Sequence, residues 1–220
     1  MKTRILLIVI LCAAFLSACG PKETGFTGTW TGNVGIVTLK QDGENVTGTV
    51  EGYGGTWNFS VAGKVSGPIL TIEGDTPLGK LEIALADDGQ SFQNVDPATA
   101  FCASRETTLP DGCGFSGTWK LKTDLAPAGS VAKLTQTLAS VTGSVYGPDG
   151  AELVPMNATV NWGKGTQAIG ANDWGDFVLS ITTDEKAFEL AANNQFENEW
   201  CGLREGETSA YIFFFTCEIP

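Results

Sequence analysis

The sequence predicts an all-β protein: two tandem antiparallel β-meander repeats, each a small closed or partly closed barrel, standing as two units or fused into one. Three observations predict it. Apolar and polar residues alternate with a period of two over short runs. Clusters of Gly, Asp, Asn and Pro separate those runs. The second half of the chain repeats the first in order. The 28 glycines among 220 residues fit tight turns better than long helices.

The first element is a leader. Lys2 and Arg4 precede an apolar run from Ile5 to Leu11, extended through Phe15. This is a basic n-region followed by an apolar stretch too short for a membrane span. Leu16-Ser17-Ala18-Cys19 follows. It resembles the lipobox of bacterial lipoproteins, a Leu, two small residues and a Cys. The resemblance implies a signal peptide over 1–18, cleavage before Cys19, and diacylation of the Cys19 thiol. It implies a lipidated tether over 19–24 and a membrane partner reached through the Cys19 anchor. Two or three acyl chains hold stably where one does not. Gly20 rather than Asp at the second mature position resembles the outer-membrane default of Gram-negative lipoproteins.

The repeats come next, as 25–113 and 114–220. Gly25-Phe26-Thr27-Gly28-Thr29-Trp30 returns as Gly114-Phe115-Ser116-Gly117-Thr118-Trp119. Leu39-Lys40-Gln41 with Val46-Thr47-Gly48-Thr49-Val50 returns as Leu134-Thr135-Gln136 with Val141-Thr142-Gly143-Ser144-Val145. Phe101-Cys102-Ala103-Ser104-Arg105-Glu106 returns as Trp200-Cys201-Gly202-Leu203-Arg204-Glu205. The offset grows from 89 to 95 to 99 along the chain, as loop insertions produce.

Strands are read from the alternation. Trp57, Phe59 and Val61 alternate with Asn58 and Ser60, and Leu81, Ile83 and Leu85 with Glu82 and Ala84. In the second copy Met156, Ala158, Val160 and Trp162 alternate with Asn157, Thr159 and Asn161. Turns are expected at Gln41-Asp42-Gly43-Glu44, Gly52-Tyr53-Gly54-Gly55, Asp87-Asp88-Gly89, Gly147-Pro148-Asp149-Gly150 and Gly163-Lys164-Gly165. One apolar face per strand gives a sheet with one buried side, and curling a meander covers that side and closes its edges. Strands of about 5–8 residues are shorter than the roughly 9–11 of a membrane barrel. The run Tyr211 to Cys217 is apolar on both faces and reads as one last strand, packed against the other copy or against its own core.

Phe26-Thr27-Gly28-Thr29-Trp30 with Val46-Thr47-Gly48-Thr49-Val50 resembles the first hairpin of the lipocalin- and avidin-like (calycin) barrels. In that family a Gly-x-Trp strand plugs one end of the barrel. The resemblance covers about 25 residues of each copy and implies the fold. Val50 and Val145 stand where avidins carry an aromatic, and no biotin-site pattern follows. The repeat as a whole also resembles uncharacterised bacterial lipoproteins.

Composition narrows function. The net charge is −12, and without Lys2 and Arg4 it is −14. Such a surface repels phosphate backbones, so no nucleic-acid partner is expected. Histidine is absent. That removes the commonest general base and metal ligand and every Ser-His or Cys-His pairing, so no enzyme, metal or cofactor is expected. Of six cysteines, Cys12 leaves with the leader and Cys19 takes lipid. The remaining four read as two disulfides in an oxidising compartment. Three pairings are possible. The duplication selects Cys102–Cys113 and Cys201–Cys217, because each copy ends with two cysteines flanking its Arg-Glu pair.

The candidate ligand-binding residues are Trp30, Trp119, Arg105 and Arg204. The tryptophans could floor a cavity for a sugar or apolar molecule; the plainer role is plugging a barrel. The arginines could grip a carboxylate; the plainer role is closing a barrel end over a Trp. Asp87-Asp88-Gly89 and Asn172-Asp173-Trp174-Gly175-Asp176 carry oxygens that suit Ca²⁺, but lack the spacing of a calcium loop and read as turns. Asn45-Val46-Thr47 matches a glycosylation sequon and carries no weight in a bacterial lipoprotein. The expected function is a cell-envelope binding module for a small apolar or sugar ligand or a protein partner. The alternative is a structural lipoprotein with solid barrels, and a weaker one is a hydrolase using carboxylates such as Glu82 or Asp176.

Overall fold

The computed structural model describes residues 25–55, 57–73, 79–161, 167–193, 200–212 and 215–219. The leader, Cys19 and the tether lie outside these residues, as do Trp162 and the turn Gly163-Lys164-Gly165.

The first barrel is a meander of eight strands. They are β1 (Gly28–Gly32), β2 (Gly35–Asp42), β3 (Asn45–Gly52), β4 (Asn58–Ser66), β5 (Ile69–Glu73), β6 (Leu81–Leu85), β7 (Ser91–Asn94) and β8 (Cys102–Ser104). Each pairs with the next, and β8 returns to β1 through Thr31↔Ser104 and Gly32↔Ala103, closing the sheet. The second barrel repeats the scheme. It comprises β9 (Gly117–Lys122), β10 (Val131–Thr137), β11 (Ser140–Tyr146), β12 (Glu152–Asn161), β13 (Gln167–Asn172), β14 (Gly175–Ile181), β15 (Ala187–Ala192) and β16 (Cys201–Arg204). Here β16 closes on β9, with Arg204 opposite Trp119. Closure leaves no unpaired edge in either sheet. The two repeats are therefore two barrels.

The period of two sets the inside and the outside. Val61, Leu81 and Ile83 are buried while Asn58, Ser60 and Glu82 are exposed. Along β12, Val154, Met156, Ala158 and Val160 are buried and the residues between them exposed. Small residues admit close strand approach. A Cβ on Gly48 would lie 2.1 Å from the Thr38 carbonyl oxygen, and one on Gly143 would lie 2.0 Å from that of Lys133.

The run Tyr211 to Cys217 is not a single strand. It is shared between β17 (Ser209–Ile212) and β18 (Phe215–Glu218), which pair as an antiparallel hairpin. Phe213 and Phe214 lie outside the described residues. The hairpin packs on the outside of β15 and β16. Ile212 and Cys217 bury against Ala187, Cys201 and Leu203, and Phe215 and Ile219 pack on their margin. The apolarity of both faces thus reflects a small second core outside the barrel. Alternation alone could not distinguish that from a strand inside a core.

The barrels stack end to end. The β1–β2 and β7–β8 turns of the first meet the β14–β15 turn and the β9 lead-in of the second. The Ala100 amide donates to Thr183 O at 2.8 Å. Tyr53, in the β3–β4 turn, donates its hydroxyl to Gly32 O at 2.8 Å and packs against the second core. The linker after β8 also runs along β10. The Leu109 amide donates to Gln136 O (2.9 Å) and the Leu138 amide to Thr107 O (3.0 Å).

Candidate functional site

The repeated Gly-Phe-Thr/Ser-Gly-Thr-Trp segment builds the same plug twice. In the first barrel the Trp30 Nε1–H donates to Phe26 O at 3.0 Å. The Phe26 amide donates to Gln41 Oε1 at 3.0 Å, and the Gln41 amide donates to Thr27 Oγ1 at 3.0 Å. In the second the Trp119 Nε1–H donates to Phe115 O, the Phe115 amide to Gln136 Oε1, and the Gln136 amide to Ser116 Oγ, at 3.0, 3.0 and 2.9 Å. The chain reverses here through glycine at positive φ, +67° at Gly25 and +57° at Gly114. A side chain there would collide with the Gln amide, since a Cβ would lie 2.4 and 2.3 Å from Oε1.

Each arginine closes its barrel over the plug. The Arg105 guanidinium sits 4.0 Å from the Trp30 ring centroid, and Arg204 sits 4.1 Å from that of Trp119. Arg105 donates to Gly89 O, Thr27 O and Gly25 O, each at 2.9 Å. Arg204 donates to Glu185 O, Ser116 O and Gly114 O, each at 2.8 Å. The four residues singled out from the sequence are thus joined in two Trp–Arg pairs. Behind each Trp further rings pack in the interior. Trp30 meets Phe92 at 4.9 Å between centroids, and Phe92 meets Phe26 and Phe101 at 6.4 and 5.8 Å. Trp119 meets Phe188 at 4.9 Å.

Both disulfides join cysteines within one copy, Cys102 to Cys113 and Cys201 to Cys217. Their surroundings differ. Cys201 and Cys217 are fully buried in the apolar cluster beneath the hairpin. Cys102 and Cys113 cluster only with Leu109. Together with Leu85, Phe92, Pro110 and Gly112 they line a surface groove of about 250 Å³.

One residue at the barrel junction was not singled out from the sequence. Glu185 is 4% exposed and holds φ +54°, a conformation that favours glycine. Its Oε1 accepts from Asn33 Nδ2 of the first barrel at 2.5 Å, and its Oε2 accepts from the Gly114 amide at 2.6 Å. Asn33 also donates to Ala100 O at 3.1 Å and accepts from the Cys102 amide at 3.3 Å. Burial pushes the Glu185 carboxyl up to about 7, against the lowering effects of Asn33, Arg204 and the Gly114 amide, with Asp184 adding to the rise. The Cys102 sulfur lies 3.9 Å from Oε2. The signal in the sequence was the comparison of copies. Arg105 and Arg204 donate to the carbonyls of Gly89 and Glu185 in equivalent turns, and a Glu in place of that Gly marks a position with a second task.

The acidic turns serve their own backbones. Asp88 Oδ1 accepts from the Gln90 amide at 2.8 Å and Asn172 Oδ1 from the Trp174 amide at 2.8 Å. Among the described residues no group of three or more Cys, Asp or Glu converges as a metal site. Glu82 lies exposed on β6 and ion-pairs with Lys80 at 3.0 Å, whereas Asp176 lies exposed on β14 of the other barrel.

No family model, no curated protein and no solved structure matches the chain.

Proposed function

We propose that the protein is a lipid-anchored interaction scaffold of the bacterial cell envelope, tethered through Cys19 to the outer membrane, whose barrels present their outer surfaces to a protein partner. The observation that carries this reading is the filling of both barrels. Beyond the Trp–Arg plug, buried apolar side chains from the strands of each barrel converge in one cluster, as in a core packed against itself. A protein whose interior is filled meets its partners at its outside. The lipobox supports the anchor, and the acidic surface argues against nucleic acid.

Two experiments test the reading. Cys19→Ala should move the protein from the membrane fraction to the soluble envelope fraction. Photo-crosslinking in cells from exposed strand positions should trap discrete protein adducts, while the native mass of the purified protein equals its denatured mass plus nothing. A stoichiometric small molecule on the native ion would overturn it. One observation favours a small apolar or sugar ligand instead. A concavity of about 560 Å³ lies at the β9–β10 connection, where Leu121, Ala126, Ala128 and Ile219 stand beside Lys122, Asp124 and Glu218. An apolar molecule recovered from the purified protein and lost on Ala128→Trp would establish that second reading.

A further inference from the structure

We propose that Cys102–Cys113 is a redox-active disulfide that exchanges with protein dithiols, with Glu185 giving a proton to, and taking one from, the Cys102 sulfur. It goes beyond the scaffold reading and stands or falls separately from it.

Three features set this disulfide apart from its counterpart. Both of its cysteines are buried, at 8% and 2% exposure, but form part of the floor of a groove open at the surface, whereas Cys201 and Cys217 are fully enclosed under the hairpin. Cys113 stands on a short turn, Pro110 to Cys113, closed by the Cys113 amide on Pro110 O at 3.1 Å. And a buried carboxyl group faces only one of the two sulfurs, with Glu185 Oε2 3.9 Å from Cys102 Sγ. At the other disulfide the cluster around Cys201 and Cys217 is formed by Ala187, Leu203 and Ile212, and the half-buried Glu189 stands opposite Cys201 across the sheet.

That asymmetry assigns the steps. A thiolate of the partner dithiol attacks Cys113 Sγ from the groove. A partner–Cys113 bond forms and the Cys102–Cys113 bond breaks. The electron pair leaves on Cys102, which takes the proton of neutral Glu185. The second partner thiolate then attacks the partner's own sulfur in the mixed disulfide and releases the Cys113 thiolate, which is protonated from water. Two electrons pass from the partner dithiol, which becomes a disulfide, to this protein, which becomes the dithiol. In reverse, the Glu185 carboxylate accepts the Cys102 proton and frees the thiolate. A carboxyl with its midpoint near neutrality is suited to both directions. The charged groups around it are few. Arg204 on β16 and Asp184 in its own turn act on it, Asp111 acts on Arg204, and Asp96 and Lys186 share the adjoining cleft. From the β1–β2 turn it meets the uncharged Asn33.

The test is native-state reduction of the purified protein by dithiothreitol, with thiolate held constant across about pH 5 to 9. Alkylation and peptide mapping follow each disulfide separately. Cys102–Cys113 should open at least about tenfold faster than Cys201–Cys217, and its rate per thiolate should fall as pH rises through the Glu185 midpoint. Glu185→Gln should remove that pH step and hold the rate at the alkaline level of the wild type. Asn33→Ala, which loosens the junction but keeps the carboxyl, should retain the step. The proposal is overturned if both disulfides open together, or if Glu185→Gln keeps the step. It is equally overturned if Asn33→Ala and Glu185→Gln change the rate alike at every pH, since access alone would then govern it.

Discussion

The two barrels share a plug and differ at one turn. In both, an arginine crosses a tryptophan and donates to the carbonyl of the turn between the sixth and seventh strands. In the first barrel that carbonyl belongs to Gly89, at φ +68°. In the second it belongs to Glu185, which holds nearly the same backbone angle at a cost that a glycine avoids, of order 1–3 kcal/mol. The carboxylate offsets that cost by reaching Asn33 across the junction. Counting from the plug tryptophans, the second copy has Lys122 where the first has Asn33. The complementary pair Asn33–Glu185 therefore occurs once. A head-to-tail stack of identical modules would propagate. Here the free end of each barrel lacks its half of the pair, so this contact joins two modules and stops. Duplication kept what folds a barrel, and divergence at two positions made a junction from it.

The largest expected effects probe what the barrels share. Trp30→Ala and Trp119→Ala each remove a fully buried indole, its hydrogen bond and the platform for an arginine. Each should cost about 3–5 kcal/mol, read by urea denaturation. Equal losses would mean the plugs are energetically equivalent. A much larger loss for Trp119→Ala would mean the second barrel also supports the first through the junction.

Removing the disulfides comes next. Cys201→Ala with Cys217→Ala opens a loop of sequence separation 16, and Cys102→Ala with Cys113→Ala one of 11. Each pair should cost about 2–4 kcal/mol. The location of the damage should differ. Hydrogen exchange should rise in β17 and β18 for the first pair. For the second it should rise in the amides of Leu109 in the linker and Leu138 in the β10–β11 turn, which bond across between the linker and the second barrel.

Much of this was legible in the sequence, and the reason is physical. Period two fixes which side chains face inward, so Val61, Ile83, Met156 and Val160 could be placed without coordinates. Internal repetition supplied a comparison that a single copy lacks, and it joined Cys102 to Cys113 and Cys201 to Cys217. It also brought Trp30, Trp119, Arg105 and Arg204 forward. What stayed hidden is what the copies do not share. Glu185 lies 152 residues from Asn33, and nothing in either local stretch announces the other. The division of Tyr211 to Cys217 into a hairpin was hidden for a related cause, since a second core outside the barrel makes both faces apolar.

Acidity sharpens the comparison further. The Glu185 midpoint of about 7 in the folded protein stands above the ordinary value of 4.5. Between these values the folded state holds a proton that the unfolded chain has released. Stability from this group is therefore fully present below the ordinary value and lost as pH rises through about 7. The melting temperature of the wild type should fall over that window, and that of Glu185→Gln should fall less. Identical profiles would place the carboxyl in contact with water and break the contrast between the barrels.

The smallest effect is the most direct comparison of the two turns. Glu185→Gly writes the first barrel's turn into the second. The carbonyl that Arg204 uses stays in place, and relief of the positive φ returns about 1 kcal/mol. Two hydrogen bonds to the carboxylate are lost, leaving the Gly114 amide and the Asn33 amide without this acceptor; that costs about 1–3 kcal/mol. At low pH the variant should therefore be modestly less stable than the wild type. Above about pH 7 the wild type carries a buried charge that the variant lacks, so the gap should narrow or change sign. Gly89→Ala in the first barrel imposes the same backbone strain with no carboxylate to offset it, and should lose about 1 kcal/mol at every pH. If Glu185→Gly instead stabilises the protein at all pH values, the carboxylate has no compensating role. The second barrel would then be a strained copy of the first rather than one adapted to receive it.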